Sequence, residues 1–214
     1  MISSRLLTAT IALALTIFCH SCQDDDEVSA AYRQDLADIE ASQGGGGATL
    51  KRDDGTKLTI DNSEVLGTLA QNAVYRVLAV YVETDKSAHL YACNKVLSPA
   101  PETISGQSIL RDPVKKVIAV WRGGRYVNLH LLVSTTNHSQ HFAFADKGIK
   151  QNPDGSKIWH IELYHDQNKD GDYYSREVYL SCPVEGKRGL QAGRDSVEIE
   201  ISTYSGTITK RLRY

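Results

Sequence analysis

The chain has 214 residues, with 24 Lys and Arg against 26 Asp and Glu, a formal net charge of −2. So even a balance offers no surplus to neutralise a phosphate backbone and no polybasic stretch for anionic lipid, which excludes nucleic acid as a partner. The aromatics are mostly tyrosine, 11 Tyr against 3 Phe and 2 Trp, a content suited to strands and half-exposed sheet faces.

Arg5 is the only charge before Asp24, and residues 6–18 form an apolar run whose only polar members are threonines. Spanning a bilayer takes roughly 20 such residues, so this run reads as the apolar core of a signal peptide. Lipoprotein processing needs a small residue before the modified cysteine. Ser21 precedes Cys22, whereas bulky Phe18 precedes Cys19. Residues 1–21 are therefore expected to be removed and Cys22 to be lipidated, palmitate among its acyl chains, so that the partner at this end is outer-membrane lipid. The following Gln23-Asp24-Asp25-Asp26-Glu27 opens an acidic tether, residues 22–34, kept extended by self-repulsion. It is similar to the acidic export signal of surface-displayed Bacteroidetes lipoproteins, which implies the outer membrane and its cell-surface face.

Residues 28–39 fit either a short amphipathic helix or the approach to a first strand starting near Leu36. Gly44 to Gly47 fit either a linker or a bulge in that strand. Asp53-Asp54-Gly55 between two alternating runs is a hairpin signal. Residues 74–82 alternate with period two and are apolar on both faces apart from Arg76, the pattern of a long central strand. A polar turn at 83–87 leads to a partner strand over 89–96. Residues 97–116 hold three of the five prolines, Pro99, Pro101 and Pro113, and mark the domain boundary. Further strands are expected at 117–121, 126–133, 141–145, 158–165, 173–181, 197–203 and 207–212. Short strands at this spacing, with no helix pattern among them, describe an all-β sandwich or barrel.

Asp166, Asn168, Asp170 and Asp172, with Gly171 and Glu177, match the spacing of a calcium-binding EF-hand loop. An EF-hand needs flanking helices, but the flanks here read as strands, and Asn, Asp and Gly are also what a hairpin loop selects. Calcium is the one cofactor the residues suggest, against a plain hairpin loop. His138 and His141, and His160 with Glu162, supply further ligand types, but nothing in their spacing makes them converge. Cys93 and Cys182 fall in different domains, and a bridge would need the Cα atoms within about 7 Å, so free thiols are expected. No nucleophile elbow, zinc-protease motif, phosphate-cradling loop or dinucleotide fingerprint occurs. The reading is non-enzymatic, with a carboxylate-pair hydrolase as the alternative.

Several motifs together resemble the NigD-like lipoproteins of Bacteroidetes. The N-terminal part carries Asp53-Asp54-Gly55-Thr56-Lys57-Leu58 and the strand from Tyr75 to Tyr81. The C-terminal part carries Val120-Trp121-Arg122-Gly123-Gly124-Arg125-Tyr126-Val127-Asn128-Leu129, Leu163-Tyr164-His165, and Asp195-Ser196-Val197 leading to Tyr214. The resemblance implies an OB-like β-barrel, residues 35–112, followed by a β-sandwich, residues 113–214. It implies no catalytic residues. Where the family has His-Asn this chain has His165-Asp166, so the carboxylate loop is particular to this member. An OB-like barrel often binds oligonucleotides, but the charge balance opposes that here. The expected function is binding of an extracellular protein or glycan at the cell surface. The alternative is a bacteriocin accessory or immunity lipoprotein, because the family takes its name from a protein encoded beside a bacteriocin.

Overall fold

A computed structural model describes residues 31–42, 47–104, 110–187 and 189–214. Cys22 and the acidic run lie outside the described residues, as do Gly44 to Gly46. The protein is all-β, a barrel followed by a sandwich.

Five strands build the barrel: β1 (Tyr32–Ala41), β2 (Ala48–Arg52), β3 (Lys57–Ile60), β4 (Val74–Thr84) and β5 (Ser87–Lys95). They close in the order β1-β2-β3-β5-β4, the OB-like arrangement that the resemblance implies. Residues 32–41 are strand, which settles the strand-or-helix question where that stretch is described. Antiparallel pairing runs along almost all of β1, from Tyr32 opposite Val82 to Glu40 opposite Val74. The Asp-Gly hairpin forms as expected: Gly55 has φ +89° and its N–H donates to Arg52 O at 3.0 Å. Alternate residues of each strand, among them Ile39, Leu50, Leu58, Val77, Ala79, Tyr81 and Leu90, fill the barrel.

The sandwich comprises β6 (Lys116–Gly123), β7 (Tyr126–Thr135), β8 (His141–Gln151), β9 (Lys157–Asp166), β10 (Tyr174–Pro183), β11 (Ser196–Thr203) and β12 (Gly206–Arg213). One sheet has the order β10-β7-β6 and the other β12-β11-β9-β8. Leu129, Leu131, Val133 and Leu180 of the first sheet pack against Ile161, Leu163, Ile199 and Ile201 of the second. β8 runs six residues past the stretch read from sequence. Its alternation breaks at a register shift between Asp146 and Ile149, where Gly148 has φ +89°.

The proline-bearing connector is strapped to the sandwich. Leu97 bridges Leu180, Glu102 bridges Ala145, Arg111 bridges His165, and Val114 bridges Thr203. Val114 is fully buried in the sandwich core. The connector thus supplies backbone partners to both sheets, and the sandwich in effect begins near residue 97.

Candidate functional site at the barrel–sandwich junction

Two cross-strand pairs meet where the barrel abuts the sandwich. Asp38 of β1 lies opposite Arg76 of β4, and Asn128 of β7 lies opposite Ser181 of β10. Arg76 is only 4 % exposed, and burying a guanidinium is costly unless its donors are all met. Here they are. Its Nε donates to Ser181 Oγ at 3.0 Å, and Nη1 donates to Asp53 Oδ1 at 2.7 Å and Asp38 Oδ1 at 3.3 Å. Nη2 donates to Asp53 Oδ2 at 2.8 Å and Asn128 Oδ1 at 3.1 Å. The guanidinium lies 4.0 Å over the Tyr126 ring, whose hydroxyl donates to Asp38 at 3.0 Å. Asn128 Nδ2 donates to Asp53 Oδ2 at 3.0 Å, and Ser181 Oγ donates to Asn128 Oδ1 at 2.8 Å.

The backbone continues this clasp. Val96 N donates to Arg76 O at 2.8 Å and Ser181 N donates to Leu97 O at 3.0 Å, so the chain leaving the barrel stitches β4 to β10. Asp53 reaches the interface because the Gly123-Gly124 turn presents no side chain to it. A Cβ on Gly123 would collide with the Asp53 carboxylate and stand 2.7 Å from Asn128 Nδ2.

On the barrel rim beside this clasp, a cleft of about 300 Å³ opens between β1, the tip of the β2–β3 hairpin, and Trp121 of β6. Its polar wall is an array of paired charges. Arg33 Nε lies 3.4 Å from Asp35 and 3.7 Å from Glu83. Arg52 donates to Glu83 at 3.0 Å and pairs with Asp54. The Tyr81 hydroxyl, rising from the barrel core, donates to Asp35 at 2.7 Å. Burial and the Asp35 carboxylate push the Tyr81 phenol up to about 12. The Arg52 guanidinium and the Thr56 N–H hold the Asp54 carboxyl well below the usual carboxylate range. This is a set of mutually paired hydrogen-bonding groups sharing the cleft with a half-buried indole.

The EF-hand-like residues do not converge on a common point. Asp170 is buried and turned inward. Its oxygens accept from Thr135 Oγ1 at 2.5 Å, Thr136 N at 2.6 Å and Gln140 Nε2 at 2.9 Å. Burial alone would raise its pKa, but these donors outweigh it and hold the carboxyl far below its ordinary value. Asp166 accepts from Asn168 N, the Asn168 amide donates to Ser139 O, and Asp172 accepts from the Tyr204 hydroxyl at 2.9 Å. Glu177 lies on β10 beside His130, at 2.8 Å. The loop thus ties the β9–β10 connection to the β7–β8 connection through the protein's own donors. Asn168 and Lys169 take φ of 51° and 60° there.

His141 faces Asp166 at 3.6 Å, His160 faces Glu198 at 3.0 Å, and Glu162 pairs with Arg111 and with Lys147 at 3.4 Å. His138 contributes its backbone N–H to Asp170. Among the described residues no three His, Cys, Asp or Glu side chains are grouped to hold a metal. Cys93 is half-buried and Cys182 buried, both free, and burial raises both thiols.

Sequence reasoning passed over the clasp, although its signal was present as one arginine inside an apolar strand. The family-like motifs resolve into structural roles. Asp195 accepts from Lys157 N at 2.8 Å and Gln191 N at 2.7 Å, and Tyr214 N donates to Asp195 O at 2.9 Å. The His165 ring stacks on Phe142 at 4.5 Å, and its Nδ1 lies 2.7 Å from Asp112 O.

The model of the NigD-like C-terminal beta sandwich domain matches residues 97–214, beginning where the connector joins the sandwich. No curated protein matches the chain in sequence. Among solved structures, a NigD-like immunity protein from Bacteroides caccae is similar at TM-score 0.67 and 23% identity, covering 83% of this chain and 91% of that one. A candidate toxin-related protein from Parabacteroides distasonis matches at TM-score 0.68 and 16% identity, over 86% and 93% of the two chains. A candidate lipoprotein from Bacteroides fragilis matches at TM-score 0.59 and 16% identity, over 85% and 98%.

Proposed function

This chain belongs to the NigD-like family, and on that premise we propose that it is a lipid-anchored envelope protein that acts by binding an extracellular protein or glycan. The observation that carries this reading is the junction cleft, a concave site whose polar groups are oriented before any ligand arrives. Its chemistry suits recognition. A carboxyl held ionised, as Asp54 is by Arg52, accepts hydrogen bonds but is a poor proton donor. The sequence around Cys22 supplies the anchor, and the acidic run after it favours the outer face of the outer membrane.

The test of the anchor is fatty-acid labelling in the native host. Label is expected on the intact chain and lost in Cys22→Ala, and persisting label would end this assignment. Protease accessibility on whole cells then reads the orientation, with digestion expected only if the body faces outward.

A second reading, immunity to a bacteriocin, draws on the name of the Bacteroides caccae structure and on one surface feature. Tyr173 is 87% exposed, next in the chain to Asp172, which accepts from the hydroxyl of half-exposed Tyr204, and the loop that carries it is held to the β7–β8 connection by Asp170. Rigid loops displaying tyrosine are effective protein-binding surfaces. Deleting the gene from a bacteriocin-producing cell should sensitise it, with protection restored by the wild-type chain and not by Tyr173→Ala. Unchanged sensitivity on deletion would remove this reading.

A further inference from the structure

From the junction cleft, and resting on the binding reading above, we propose that its ligand is a neutral saccharide unit of a glycan, seated between Trp121 and the Asp35–Arg52 wall.

The charge pattern selects against ionic ligands. Arg33 is opposed by Asp35 and Glu83, Arg52 by Asp54 and Glu83, and Asp53 is engaged by Arg76. An anion entering the cleft would have to compete with these carboxylates for the guanidinium groups. A cation would compete with the guanidinium groups for the carboxylates. Either exchange desolvates a charge while breaking an existing pair. A polyhydroxyl ligand faces no such conflict, since each hydroxyl can donate to a carboxylate and accept from an N–H in one place.

The apolar wall matches the other half of a sugar. The chain has two tryptophans. Trp159 is 3 % exposed, its Nε1 donating to Asp146 at 2.8 Å and Lys187 lying 4.4 Å over its ring. Trp121 is half-buried and lines the cleft. An indole presents a flat apolar body beside a polar rim, which fits the C–H face of a pyranose whose edges carry hydroxyls. The cleft, about 300 Å³, lies at the small end of ligand sites, room for a residue or so of a longer chain. Orientation is built in from below, because the Tyr81 hydroxyl fixes Asp35 from the barrel core.

The arrangement also supplies its own reporter, because Trp121 is the more accessible indole. The intact lipidated chain in detergent is titrated with neutral hexasaccharides from dextran, mannan and galactan. An alginate hexamer serves as the anion and a chitosan hexamer as the cation. Binding is read by calorimetry and by acrylamide quenching of tryptophan fluorescence. At least one neutral hexamer is expected to shield Trp121 saturably, and to bind about tenfold or more tighter than either charged hexamer. Arg33→Ala, at an exposed position, and Asp35→Asn should each weaken that binding by about tenfold, whereas Lys210→Ala on β12 should not. Thermal melts of each variant separate lost folding from lost binding. Shielding by no neutral hexamer, or equal binding of the charged ones, would overturn the proposal. Neutral binding that survives both cleft variants would overturn it too, while leaving the binding-protein reading intact. Appearance of new reducing ends during the titration would instead overturn the non-enzymatic reading and leave the saccharide site standing.

Discussion

Arg76 shows how much can depend on one buried charge. Each of its five N–H groups has an acceptor drawn from β1, the β2–β3 hairpin, β7 or β10. Removing it takes the guanidinium from buried Asp38 and part-buried Asp53, leaving them only the neutral Tyr126 hydroxyl and Asn128 amide as clasp donors. Arg76→Ala is therefore expected to cost about 3–5 kcal/mol, read as a fall in the urea midpoint. Asp170 makes the acid-side counterpart. Its folded pKa lies below its unfolded value, so its stabilisation is present above the unfolded pKa and lost as pH falls through and below it. Asp170→Asn should lower stability at neutral pH and flatten the decline between about pH 5 and pH 2. The alkaline side has the opposite sign. Tyr81, raised to about 12, stays protonated in the folded state after the unfolded chain has ionised near pH 10. Stability should fall across that window, and less steeply in Tyr81→Phe.

At the scale of elements, the Gly123-Gly124 turn and the Asp53 hairpin are shaped to each other. Gly123→Ala drives a methyl group into Asp53 and Asn128 and should cost about 1–3 kcal/mol. Gly148→Ala meets open space and suffers only its φ of +89°, so it should cost less. Chemical denaturation of the pair checks the order. Strands of this kind are legible in sequence, because the pleat sends successive side chains to opposite faces and a continuous run of β-branched and apolar residues fits a strand buried on both. That is why residues 74–82 and 126–133 read correctly, and why β8, whose alternation is broken at Gly148, was read short. Residues 28–39 were ambiguous because Leu36, Ala37 and Ile39 suit a helical face as well as a pleat. The clasp was not legible, since the partners of Arg76 lie 23, 38, 52 and 105 positions away. Nor does composition say whether an Asp-rich loop faces an ion or its own threonines. That depends on which donors the neighbouring loop brings to Asp170.

Across the whole molecule, barrel and sandwich belong to one compact unit from Ala31 to Tyr214, joined by a polar interface and a strapped connector. They should unfold together. Both tryptophans lie in the sandwich, on β6 and β9, so their fluorescence reports that half while far-ultraviolet dichroism reports both. The two probes should trace one urea transition in the wild type and separate in Arg76→Ala, where the halves lose their coupling. Coincident curves in the variant would show that the connector alone couples them.

The pairing of β1 has a mechanical consequence. If the chain is held at Cys22 and a ligand in the cleft is dragged by flow, the load enters β1 at Tyr32, and the share borne by Arg52 and Trp121 reaches that strand across its rungs. That strand is bonded to β4 from Tyr32 to Glu40 and to β2 from Ala37 to Ala41. Its rungs would then be strained together in shear, rather than peeled open one at a time. The barrel would thereby serve as a stiff coupling between anchor and cargo, one that yields only when many bonds fail at once.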